Sequence, residues 1–204
     1  EGILHADVVG FHAFDHARHF LNASKRILGL TYESLMGGLI GVRFHGKKVL
    51  VTMSNVSIET DMLDVAMALP EVQAGAKALK EKHGRAIIAG IDVAQGLSGI
   101  QLKLLAFERL LMDYPNWRND VVMVQKCLVP NTRLADEADT LRDIRASVHR
   151  IQEKFGIEVM DYEEIQGSSS LPMVKRLVIW MAANVLLHTP IREGLNLLPL
   201  EYVS

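Results

Sequence analysis

One cysteine in 204 residues excludes an internal disulfide framework. The lone thiol, Cys127, fits a reducing compartment, and a cytoplasmic location is the expectation. A net charge of −2 leaves no electrostatic footprint for nucleic acid or an anionic membrane. There is no basic start followed by an apolar run, so no secretory or membrane-spanning segment is read. No GxGxxG and no GxSxG occurs, which removes the ordinary dinucleotide fingerprint and the serine nucleophile elbow. An initiator Met is also lacking, and the chain is read as a piece of a longer protein.

What is present is apolar and regular. Hydrophobic residues make up 49% and charged residues 23%, too apolar a mixture for disorder. A short strand is expected at Ala6–Gly10 and a helix at Phe14–Leu30. Two strands follow, Leu39–Phe44 and Lys47–Thr52, around a His45-Gly46 turn. A helical region from Thr60 is interrupted by Pro70 and resumes to His83. From Ala86 onward strand and helix alternate. Strands are read at Ala86–Ile91, Val121–Val129, Tyr162–Gln166 and Val185–Thr189, with helices at Ile100–Met112, Arg133–Phe155, Leu171–Ala183 and Gly194–Val203. Continuously apolar strands alternating with helices predict an α/β fold, a parallel sheet covered on both faces. Ligands in such sheets bind at the carboxyl ends of the strands.

Two of the strand-end loops carry signals. Gly90–Gly99 is glycine-punctuated and precedes a helix, so it reads as a tight turn or as an anion cradle. No Lys or Arg lies between Gly90 and Gln101. Thr189–Leu197 contains an Arg192-Glu193-Gly194 turn, read either as a capped helix with a surface ion pair or as a phosphate or sugar contact. His12, His16 and His19 share helical spacing but make a poor metal set, and are read as half-buried, hydrogen-bonded residues. Cys127, Trp117 and Trp180 are read as packing residues, and the charges of Asp136–Arg150 as a solvated helix face.

Four ordered stretches resemble one family. Gly10–Leu30, GFHAFDHARHFLNASKRILGL, is similar to the GFHTFDYARHF…LGL signature of trehalose-6-phosphate synthases. Leu102–Gln125 resembles their KLLAFE…HPEWR…VVLVQ segment, and His149–Gly156 their GRINGRFG. Pro190–Val203, PIREGLNLLPLEYV, resembles LRDGMNLV-x-x-EYV, with Pro199 nearer the plant-type second class. The resemblance implies a glycosyltransferase-B architecture of two Rossmann-like domains, with residues 1–53 the end of the first, acceptor-side domain and 54–204 most of the second, nucleotide-sugar domain. It implies glucose transfer from UDP-glucose to glucose 6-phosphate with retention, with no metal and no cofactor beyond the UDP-glucose donor. It also allows protein partners or a downstream phosphatase domain.

Residue by residue, the resemblance puts the ribose-binding glutamate at Glu201 and the phosphate amide donors at Leu195, Asn196 and Leu197, after Gly194. The sugar-binding, catalytic aspartate falls on Glu193, one methylene longer. The family's VDRLDYxKGI loop reads IDVAQGLSGI here, so its phosphate-binding Arg falls on Val93 and its Lys on Ser98. Ser57 replaces a glycine, and the acceptor-phosphate Arg falls on Arg133 or Asn131. Two expectations follow. One is a synthase scaffold that is weakened or inactive, a pseudoenzyme. The other is an active synthase with substitute cations, for which Lys126 and Arg192 are the candidates.

Overall fold

The computed structural model describes residues 1–204, Gly38 apart. The chain divides into two compact units, Glu1–Ile58 with Gly194–Leu197, and Glu59–Glu193 with Leu198–Ser204.

The first unit is a four-stranded sheet in the order β1-β4-β3-β2. Strand β1 (Val8–Phe11) pairs parallel with β4 (Lys47–Met53), while β3 (Ile40–Phe44) runs antiparallel to both β4 and β2 (Tyr32–Ser34). His45 and Gly46 both take positive φ, the geometry a two-residue hairpin needs to match strand twist. Helix α1 (Phe14–Leu28) lays Ala17 and Leu21 on Val42, Val49 and Val51 and ends at Gly29 in the left-handed conformation. The strand β2 was not expected from the sequence.

The second unit begins with α2 (Thr60–Met67) and α3 (Pro70–His83), the proline taking the first turn of α3, where no N–H is needed. A wholly parallel sheet follows in the order β7-β6-β5-β8. Its strands are β5 (Ala86–Val93), β6 (Val121–Val129), β7 (Met160–Gln166) and β8 (Val185–Leu186), connected through α4 (Ile100–Asp113), α5 (Leu134–Phe155) and α6 (Met173–Ala182). Helices α4 and α5 bury Ile100, Leu104, Phe107, Ile144 and Ile151 against Val121, Met123 and Cys127. The α/β class with a parallel sheet is thus as expected. Strand order reverses between β5 and β8, so the switch point lies beyond their carboxyl ends.

Several local expectations are corrected. Strand β8 stops at Leu186, so His188 and Thr189 are loop residues. The last helix, α7, starts at Leu198 and not at Gly194; Leu195, Asn196 and Leu197 precede it. His12, His16 and His19 are exposed, and His12 lies before α1, so the three do not share a helix face. Trp117 is half exposed in a short 3-10 turn. Among the described residues no helix is long and apolar enough to cross a membrane.

Candidate functional site

The switch point of the parallel sheet is held by backbone. Gly96–Ser98 forms a 3-10 turn after β5, and Gly99 follows at φ 73°. The N–H groups of Ile191 and Arg192 donate to the Leu97 carbonyl at 2.9 and 3.4 Å, so the loops after β5 and β8 are joined. A Cβ at Gly99 would collide with the Thr189 carbonyl oxygen, so only glycine lets the loops come this close. Val93, the last residue of β5, and Ser98, in the turn, are both half-buried, and they present a methyl pair and a hydroxyl where the family pattern has cations.

Beneath the loop sits a polar knot that the sequence did not announce. Lys103 projects from the first turn of α4 with its side chain fully buried, and its ammonium pairs with Asp92 at the end of β5. Gln125 of β6 donates to Asp92 Oδ2 at 2.9 Å and to the Lys126 carbonyl at 3.0 Å. Its Oε1 is buried with no hydrogen-bond partner among the described residues. Gly90 makes room for this: a Cβ there would run into the Gln125 amide and the Lys103 ammonium. Enclosing a carboxylate is costly unless it is paired and hydrogen-bonded, and Asp92 has both partners.

The knot reaches the second loop through His188. Its Nδ1 faces Asp92 Oδ1 at 3.9 Å, and its Nε2 lies 2.7 Å from Glu193 Oε2. A carboxylate can only accept, so Nε2 carries the proton in this bond. Glu193, longer than the aspartate of the family pattern, is therefore held at its tip by an imidazole. Glu201, on α7 (Leu198–Val203), is also engaged. Arg176 of α6 donates Nε to its Oε2 at 2.8 Å and Nη2 to its Oε1 at 2.5 Å. The Trp180 indole N–H adds a long 3.4 Å contact to Oε2, so this tryptophan does more than pack. Segment Gly194–Leu197, carrying the expected amide donors, belongs to the first compact unit.

The two candidate substitute cations separate. Lys126 lies within β6, where it pairs with Glu163 at 2.8 Å and Asp161 at 3.7 Å; its charge is already taken. Arg192 is exposed in the joined loop. Glu137 is a further correction, since it is no solvated residue. It lies buried in the first turn of α5, and its Oε1 accepts the backbone N–H groups of Thr132 and Arg133 at 3.0 and 2.9 Å. Burial acts to raise its pKa, and backbone hydrogen bonds from Arg133, Thr132 and Asn131 outweigh it, so the carboxyl sits below its ordinary value. Glu137 thereby fixes the loop that carries Asn131 and Arg133. The Cys127 thiol is buried, and that burial pushes its pKa up to about 11, so it stays protonated and inert at neutral pH. Among the described residues no group of three or more His, Cys, Asp or Glu is arranged to hold a metal ion.

The model of glycosyltransferase family 20 matches residues 1–204. The chain belongs to glycosyltransferase family 20. Among curated relatives, alpha,alpha-trehalose-phosphate synthase [UDP-forming] 6 of Arabidopsis thaliana is 36% identical over 204 residues, 98% of this chain and 24% of the relative. The chain thus spans about a quarter of that relative's length. Among solved structures, the N-terminal domain of Candida albicans trehalose-6-phosphate phosphatase superposes with a TM-score of 0.85 at 26% identity, over 99% of this chain and 43% of that one. A Burkholderia xenovorans alpha,alpha-trehalose-phosphate synthase in complex with glucose-6-phosphate gives 0.85 at 22%, over 97% and 43%, a likeness of fold. As a family 20 member with a parallel sheet covered on both faces, the chain has the glycosyltransferase-B domain type that its motifs implied.

Proposed function

We infer that this chain supplies the nucleotide-sugar side of a trehalose-6-phosphate synthase-like glycosyltransferase whose transfer of glucose from UDP-glucose to glucose 6-phosphate is weakened or lost. The donor and acceptor come from the relatives, a UDP-forming synthase and a synthase in complex with glucose-6-phosphate. The weakening rests on one observation: the loop at the switch point offers Val93 and Ser98, while the nearest lysine, Lys103, is buried beneath it in an ion pair with Asp92. Retaining transfer of this kind needs no protein nucleophile. Its barrier falls as the departing diphosphate is stabilised, and preorganised cations and amides are the means. Loss of one such group commonly lowers the rate by about 10²–10³.

A regulatory or assembly role suits a scaffold that keeps its shape and loses its charge. The same fold forms the N-terminal domain of a protein named for phosphatase activity, which supports a non-synthase use of it. Location in the cytoplasm is part of this reading. One observation favours the active alternative: Arg192 is exposed on a loop whose backbone bonds to Leu97, so one cation is on hand for a phosphate. The deciding experiment is UDP release by the full-length protein with UDP-glucose and glucose 6-phosphate, beside the Val93→Arg/Ser98→Lys variant. Weak or absent turnover that rises in the variant supports the weakened reading. Robust turnover abolished by Arg192→Ala supports the alternative.

A further inference from the structure

Glu201 is the carboxylate that the family pattern assigns to the ribose, and in this chain its acceptor capacity is nearly spent. An ionised carboxylate offers about four lone-pair positions. The guanidinium of Arg176 takes one on each oxygen, at 2.8 and 2.5 Å, in the two-bond fork that is the strongest geometry open to an arginine and a carboxylate. The Trp180 N–H points at a third, on Oε2. The arginine is itself fixed, because its Nη1 donates to the Leu171 carbonyl at 2.5 Å, and both side chains are mostly buried, 16% and 10% exposed. Packing of Trp180 edge-on to Tyr202, ring centroids 5.9 Å apart, holds α6 against α7 around the pair. A vicinal diol needs two acceptor positions on the carboxylate, and one remains.

We propose that Arg176 occupies Glu201 in place of the nucleotide ribose, so that this chain binds uridine nucleotides without using their 2′- and 3′-hydroxyls. Arg176 is then a specificity-determining residue: it removes the discrimination that a free carboxylate gives. The inference rests on the nucleotide-sugar reading above, which it deepens. Removing the fork returns both oxygens to the diol.

Calorimetric titration of the full-length protein with UDP and with 2′,3′-dideoxyuridine diphosphate tests this. The wild type is expected to bind the two within about threefold of each other, less than the worth of one hydrogen bond to a charged group. Arg176→Leu is expected to prefer UDP by about tenfold or more, and Arg176→Leu/Glu201→Gln to lose that preference again. A wild-type preference above about threefold overturns the proposal, and needs no variant to fold. A folded Arg176→Leu protein with no greater preference than the wild type also overturns it. Binding that persists without the expected pattern refutes Arg176's role alone. Failure of the wild type and Arg176→Leu to bind either nucleotide refutes the nucleotide-sugar reading, and this proposal with it.

Discussion

The two ends of the parallel sheet carry their positive charge differently. At the amino end, the last turn of α3 and the link into β5 gather Lys80, Lys82 and Arg85 in six residues, beside His83, whose pKa burial holds below its ordinary value. Lys82 and His83 meet Asp161 at 2.5 and 3.2 Å, and a shallow depression of about 580 Å³ lies among them. At the carboxyl end, where open α/β sheets hold their ligands, the loop after β5 has no cation, and Lys103 below it is locked to Asp92. The amino end thus carries its cations in ion pairs and at the surface, while at the carboxyl end the loop after β5 carries none. The strand-to-helix path through that loop forms without any cation in it.

The sharpest way to break this comparison is to cut the buried pair. Lys103→Met leaves Asp92 charged and enclosed, a change expected to cost about 3–5 kcal/mol. In the full-length protein it should appear as lost hydrogen-exchange protection of the β5 and β6 amides, partly regained with Asp92→Asn. Unchanged protection would mean that the knot is not integral to the sheet. Next in size is re-arming the carboxyl end. Val93→Arg with Ser98→Lys should tighten UDP by about tenfold or more, the worth of one charge-assisted hydrogen bond. No gain by calorimetry would mean that positions 93 and 98 do not face the diphosphate.

His188 gives a smaller effect. On the proposed function, in which Glu193 takes the sugar-binding place, His188→Leu should weaken UDP-glucose relative to UDP by about three- to tenfold, because Glu193 loses its 2.7 Å partner. His188→Gln, which keeps an N–H donor at that tip, should restore the ratio. Smallest is Lys82→Ala at the amino end, expected to leave UDP affinity unchanged and to cost no more than about 1 kcal/mol, as for other exposed pairs. Burial pushes the Asp161 carboxyl up, but Lys82 and Lys126 outweigh it and hold the group below its ordinary 3.8. The stability this gives is present above that value and lost as pH falls through the lower folded one, so the Lys82→Ala difference should fade in acid.

Much of this molecule was legible in its residues, and the exceptions have physical causes. Strands β5 and β6 read clearly because helices cover both faces and leave long apolar runs. Strand β2 escaped because its three residues are all exposed and carry no alternation. The last helix was read four residues too early, since an Arg-Glu-Gly turn followed by apolar residues has the look of a helix start. The loop departures at Val93 and Ser98 were visible because absence of charge is a property of sequence. The buried polar pairs around them were not. Lys103 sits on the same helix stripe as Ile100, Leu104, Phe107 and Leu111, and a lysine among buried positions was the available signal. Arg176 was hidden likewise, one turn from Trp180 in an apolar helix. Pairings such as Arg176–Glu201 join positions 25 residues apart, which no local pattern reports.

The close passage of Gly99 beneath Thr189 gives this site an unusual evolutionary latitude. Its two loops are stitched by main chain, through Leu97, Ile191 and Arg192, so the stitch is indifferent to what side chains decorate it. Ligand-contacting positions can drift while the path of the chain stays put. A designer could therefore place cations at positions 93 and 98 by exchanging side chains alone, on a contour that the main chain fixes.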